Sequence, residues 1–167
     1  MSVYLKFVDE TCTFLKKMLG FEVHMCLMMP LPEEMPLFLM HMYGFFRAKI
    51  LDRECCFVIP FKDLECSYDF TARLTHLHLI KDLTKAVVVL LDPHMHKDRR
   101  SRYIEHNVPF VRPPNQMFIP ELAETLTAYY KSIHPSLEDM LIDLARLGRK
   151  REDISLIKMV KMRGKRV

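Results

Sequence analysis

Apolar side chains recur along this chain with two different periods, and the change from one to the other predicts its elements. After Ser2, a suitable helix N-cap, Tyr4, Phe7, Val8, Cys12, Leu15, Met18 and Leu19 fall at helical spacing until Gly20 stops the run. Phe21 to Leu27 alternates weakly, as a short strand does. Pro30, Pro32 and Pro36 then break the chain, and Leu37 to Met42 is expected as a short helix directly behind Pro36. Tyr43 to Leu51 and Cys55 to Phe61 read as two strands about a turn at residues 52–54. The run Cys55-Cys56-Phe57-Val58-Ile59 has no polar break, as expected of a strand covered on both faces. Residues 67–82 suit a helix with Phe70, Leu74 and Leu77 on one side. Ala86 to Leu91 is short, β-branched and apolar, the pattern of a central parallel strand, and Asp92-Pro93 ends it. A polar helix is expected over Lys97 to His106, and short strands over Pro109 to Arg112 and Gln116 to Ile119, around Pro113-Pro114-Asn115.

Helices alternating with apolar strands predict an α/β fold, a mixed sheet with flanking helices. Glu121 to Ser132 is a further helix, interrupted at His134-Pro135-Ser136. Leu137, Met140, Leu141, Leu144 and Ala145 mark another amphipathic face that ends near Gly148, and Ile154, Ile157 and Val160 continue more weakly. The expected organisation is an α/β domain over residues 1–125 and a basic helical extension over residues 126–167, too short for a substantial core of its own.

Composition adds limits. The chain has 167 residues, half of them hydrophobic and 28% charged, which argues against intrinsic disorder. No apolar run approaches the roughly 20 residues that span a bilayer, and Met1 to Lys6 lacks the pattern of a secretory signal. The expected location is therefore cytoplasmic, with no membrane partner. Five cysteines, Cys12, Cys26, Cys55, Cys56 and Cys66, include no C-x-x-C pair. They are expected as reduced small hydrophobes, at least three of them buried, Cys12 and Cys56 included because both lie within apolar patterns.

The net charge of +4 is uneven. Residues 1–130 carry 15 basic and 16 acidic side chains, and residues 131–167 carry 10 and 5. From Arg149 onward eight basic residues face only Glu152 and Asp153. Such a segment either contacts phosphates or is simply solvated.

Candidate chemistry is sparse. His76 and His78 fall in a helix, where positions i and i+2 do not face together. His94 and His96 lie at a strand end without a matching cysteine or carboxylate cluster, so no metal is expected. The four glycines, Gly20, Gly44, Gly148 and Gly164, form no phosphate-binding loop, and no cofactor is expected. No G-x-S-x-G elbow occurs. The order of elements resembles the restriction-endonuclease-like core. That likeness implies an acid followed by a Glu/Asp-x-Lys pair on the adjacent strand. Asp52 is the candidate first acid and Pro60-Phe61-Lys62 falls roughly where the pair belongs, but proline cannot bind a metal. The site reads as degenerate and the chain as non-enzymatic.

The most distinctive stretch is Tyr103 to Leu122, YIEHNVPFVRPPNQMFIPEL. It resembles a segment of bacterial MarR-like winged-helix transcriptional regulators, of the form I-x-x-x-I-P-F-I-V-P-G-x-Q-x-Y-L-P-x-L. Met35-Pro36-Leu37-Phe38-Leu39 is similar to a second segment of their N-terminal α/β domain. The likeness implies transcription regulation, with a winged-helix region that begins near His134-Pro135-Ser136 and is incomplete here. It also implies double-stranded DNA as partner. The residues expected to touch phosphate are Arg149, Lys150, Arg151, Lys158, Lys161, Arg163, Lys165 and Arg166. A second reading is a protein-interaction or sensor module in which the 137–147 helix packs on a second copy or another protein.

Overall fold

In the computed structural model the described residues are 2–61, 69–93 and 95–133. The chain divides into two compact units, Met1–Glu121 and Leu122–Val167. The first is an α/β unit. Helix α1 (Ser2–Leu19) is followed by β1 (Cys26–Leu27), α2 (Leu37–Met42), β2 (Tyr43–Ile50), β3 (Arg53–Pro60), α3 (Phe70–Thr84), β4 (Val87–Leu91), α4 (Lys97–Glu105), β5 (Phe110–Arg112) and β6 (Gln116–Phe118). A single turn of 3-10 helix, Pro120–Leu122, leads to α5 (Ala123–Ile133) of the second unit, where Leu122, Leu126 and Tyr130 are buried.

The six strands form one mixed sheet in the order β1-β2-β3-β4-β5-β6. The first three pair antiparallel, β3, β4 and β5 run parallel, and β6 turns back antiparallel. Parallel neighbours need crossover connections, and α3 and α4 supply them. Both crossovers advance across the sheet in the same sense, so a uniform hand puts both helices on one face. Leu77 and Ile80 of α3 and Tyr103 of α4 accordingly share a core with Tyr43, Phe45, Cys56, Val58, Val88, Leu90 and Phe110. Strand residues alternate between faces. The other face therefore carries Phe46, Ala48, Ile50, Cys55, Phe57, Ile59, Val87, Val89, Leu91 and Val111, all buried. Helix α1 brings its own buried stripe, Val8, Phe14, Leu15 and Leu19, none of which joins the first core.

Local chemistry explains the boundaries. Helix α1 starts at Ser2 itself and ends where Gly20, at φ 78, donates its N–H to the Lys16 carbonyl (2.9 Å). Lys16 and Lys17 complement the negative end of its dipole. Helix α3 begins at Phe70 because the Asp69 carboxylate accepts from the N–H groups of Thr71 (2.9 Å) and Ala72 (3.3 Å). The strand expected over Phe21 to Leu27 shortens to Cys26–Leu27, at the sheet edge beside Arg47 and Phe46. The turn expected at residues 52–54 tightens to Leu51–Asp52, since Arg53 already pairs with Ile50, and Leu51 adopts φ 56.

The distinctive stretch from Tyr103 builds the sheet's far side. Tyr103 stacks near Phe110 (6.3 Å between ring centres) and Phe110 near Phe118 (5.9 Å). Asn107, at φ 52, lets the chain reverse after α4, so that the Val108 N–H reaches the Tyr103 carbonyl at 2.8 Å. Within this stretch Tyr103, Val108, Pro109, Phe110, Val111 and Leu122 are buried.

Candidate functional site

Three arrangements in the α/β unit hold polar side chains together. The first is a sealed centre at the carboxyl end of β4. Arg73 Nη1, on the first turns of α3, lies 3.5 Å from Asp92 Oδ2, and the side chains are 7% and 2% exposed. The same Nη1 lies 3.5 Å from the hydroxyl of Tyr103 on α4, which is fully buried. One guanidinium thus ties α3, the end of β4 and α4. A charge so enclosed is tolerated only with a counter-charge and hydrogen bonds. Both side chains are thus withdrawn from solvent, and the contacts tie three elements of the unit together.

The second arrangement lies beside it. The Tyr43 hydroxyl and His76 Nδ1 are hydrogen-bonded at 3.0 Å, and the Phe38 ring packs 5.3 Å from the imidazole. Burial, helped by the Arg73 charge, holds the His76 pKa below its ordinary value. Nearby, Arg102 lies over the Phe70 ring at 4.2 Å from its centre, and His106 meets the same ring edge-on at 5.0 Å.

The third is an open cleft of about 470 Å³ at the opposite, amino-terminal ends of β3 and β4. Asp52, Arg53 and Glu54 form one wall, and Lys81, Asp82 and Lys85 at the end of α3 form the other. Ala86 and Val87 lie between them and Glu121 closes one side. Lys81 Nζ donates to Glu121 Oε1 at 3.3 Å. Glu121 Oε2 is shielded from solvent and has no hydrogen-bond partner among the described residues.

The residues weighed for a degenerate nuclease-like site lie at opposite ends of one strand. Asp52 sits in the turn before β3, while Pro60 is the last residue of that strand, buried and paired with Tyr43. At about 3.3 Å per residue the two are separated by roughly 25 Å, so Asp52 and Pro60 do not belong to one site. Lys62 lies outside the described residues. Of the histidines, His76 is half-buried, His78 is exposed, and His96 caps α4 by accepting from the Asp98 N–H at 3.5 Å. His94 lies outside the described residues, and among the described residues no cluster of three His, Cys, Asp or Glu could hold a metal ion.

The cysteine expectation needs correction. Cys55 and Cys56 are buried, but Cys12 is only half-buried and Cys26 is exposed, with its sulfur 3.3 Å from Arg47 Nε. Cys26 sits on a two-residue edge strand, which offers nothing to cover it. Burial pushes both Cys55 and Cys56 up to about 12, and the Glu54 charge adds to the first. All four are free thiols, and Cys66 lies outside the described residues.

Arg149, Lys150, Arg151, Lys158, Lys161, Arg163, Lys165 and Arg166 all lie outside the described residues, as does the 137–147 helix. Sequence reasoning missed both the Arg73–Asp92 centre and the charged cleft. A single arginine in a helix and a single aspartate after a strand carry no signal of depth, and the cleft joins segments far apart in the chain. Among the described residues no helix is long and apolar enough to cross a membrane. No family model, no curated protein and no solved structure matches this chain.

Proposed function

We propose that this protein acts by binding, as a regulator-type α/β module whose basic C-terminal unit contacts the phosphates of double-stranded DNA. The observation that carries the reading is how charge divides between the two units. Met1–Glu121 contains fifteen basic and fifteen acidic side chains, and Leu122–Val167 contains ten and six. The whole net charge of +4 therefore belongs to the smaller unit. An electroneutral module joined to a cationic one suits a polyanionic partner, whose attraction is mainly electrostatic and indifferent to sequence. The resemblance of Tyr103 to Leu122 to MarR-like regulators supports the same reading.

Fluorescence anisotropy with several unrelated duplexes, over a range of salt, tests it. Log K should fall with log salt at a slope of about 0.9 per phosphate contact, with about three to six contacts in all. Deleting residues 149–167 should weaken binding by the same factor on every duplex, because phosphate contacts carry no base code. Absence of binding at low salt, or binding that survives the deletion, rejects DNA as partner and favours a protein-interaction module built on the 137–147 helix.

A further inference from the structure

Large apolar side chains are spread unevenly over the exposed surface. Among the described residues seven are exposed, and four of them, Leu27, Met29, Leu37 and Phe38, fall within twelve consecutive positions. The methionines gather in the same stretch. Six of the thirteen, Met25, Met28, Met29, Met35, Met40 and Met42, lie between residues 25 and 42, and only Met35 of these is buried. Met35 and Leu39 anchor the stretch in the core that α3 and α4 cover, and Met28, Leu31, Met40 and Met42 pack half-buried against that core. Above this base Met29 is 65% exposed, Leu37 69% and Phe38 46%, and the Phe38 ring rests against His76 of α3. Single exposed apolar residues need no explanation, but several over one base mark a surface that another molecule covers. Methionine suits such a surface, because its unbranched thioether repacks around an irregular partner.

Charge around the surface selects the partner. Residues 25–46 contain two carboxylates, Glu33 and Glu34, and no lysine or arginine. Both carboxylates are exposed, and neither forms an ion pair among the described residues. Arg47, the next cation along the chain, lies at the Cys26 end, with its Nε 3.3 Å from that sulfur. Burial holds the His76 pKa low, so the imidazole adds no charge beneath Phe38 near neutral pH. An apolar surface edged by unpaired carboxylates fits an apolar face edged by cations. Nucleic acid and anionic lipid would be repelled by Glu33 and Glu34, and a second copy offering the same face has no lysine or arginine for them. The exposed groups are side chains rather than a row of backbone N–H and C=O groups, so the matching shape is a helix face and not an added strand. We propose that the surface formed by residues 28–42 docks a basic amphipathic helix of a partner protein. Met29, Leu37 and Phe38 receive its apolar stripe, and Glu33 and Glu34 receive the lysines or arginines beside that stripe. None of these residues belongs to the C-terminal unit, and the proposal does not rest on DNA binding.

Fluorescence titration of the full chain against three synthetic peptides of about 18 residues, roughly five helical turns, is the test. The first carries leucine at helical spacing and lysine elsewhere. The second replaces every lysine by glutamine, and the third has the composition of the first in an order with no apolar face. The first peptide should bind about tenfold or more tightly than either of the others. Leu37→Ser combined with Phe38→Ser should weaken it about tenfold or more, as loss of central apolar anchors does. Glu33→Gln combined with Glu34→Gln should also weaken it, and added salt should reduce the difference between that variant and wild type. The glutamates make no contact within the protein that their replacement would break, so this second variant should unfold at the wild-type temperature. Failure of the first peptide to bind at about 100 μM overturns the proposal. Equal binding of the scrambled or the glutamine peptide overturns it, as does undiminished binding by either variant.

Discussion

Arg73 on α3 and Asp92 at the end of β4 form an ion pair at 3.5 Å inside the protein, closed over by Tyr103. Desolvating two charges costs as much as their attraction returns, so such a pair adds little to stability when intact. Breaking it from one side is another matter, because the remaining charge stays buried. Arg73→Met should lower the unfolding free energy by about 3–5 kcal/mol. The double variant Arg73→Met, Asp92→Asn should lose less than the single one, because no buried charge is stranded. Urea unfolding of the three proteins measures this, and a single variant within about 1 kcal/mol of wild type would show that the pair is not sealed.

The thiols should separate into classes by rate. Cys26, exposed at the sheet edge, should react with an alkylating reagent first. Cys12 should follow more slowly, since burial and the neighbouring Asp9 raise its pKa. Cys55 and Cys56, both pushed up to about 12 by burial, should react only when the protein opens. Mass spectrometry of peptides after timed alkylation resolves the order. Labelling of Cys56 as fast as Cys26 would contradict the packing of β3.

His76 gives the protein a pH dependence of defined sign. Its folded pKa lies below the ordinary value near 6.5, from burial first and the Arg73 charge second. The unfolded chain therefore binds a proton that the folded chain resists. The stability contributed by this group is complete above about pH 6.5 and declines as pH falls from there to the folded pKa. Urea midpoints at about pH 7.5, 6.5 and 5.5 should fall in that order in the wild type. The part owed to this group should vanish in His76→Gln, which keeps a polar group near Tyr43 without a titrating ring. An unchanged slope in the variant would assign the effect elsewhere.

How much of this could be read in the sequence depended on the range of the signal. Val87 to Leu91 was legible because five consecutive apolar residues leave no exposed side for a strand. The ends of α1 and β4 were legible from Gly20 and from Asp92-Pro93, since these residues act locally. The start of α3 was misplaced by three residues because the cap comes from Asp69, while Ser67 two residues earlier is a cap type as well. Cys12 was misjudged because helical periodicity marks the packed side of α1 but not how deep each position on that side lies. The candidate cleft was invisible for the same reason that the Arg73–Asp92 pair was. Glu121 and Lys81 meet across forty residues, and no local pattern encodes that meeting.

The order of strands across the sheet is the order in which they are synthesised. Emerging from a ribosome, each new strand finds its only earlier neighbour already made, and none must wedge between two that have paired. The growing sheet always has one finished side and one advancing side, and α3 and α4 close over it in turn as they are delivered. The unit can thus assemble at the pace of translation, each strand pairing as soon as it is delivered.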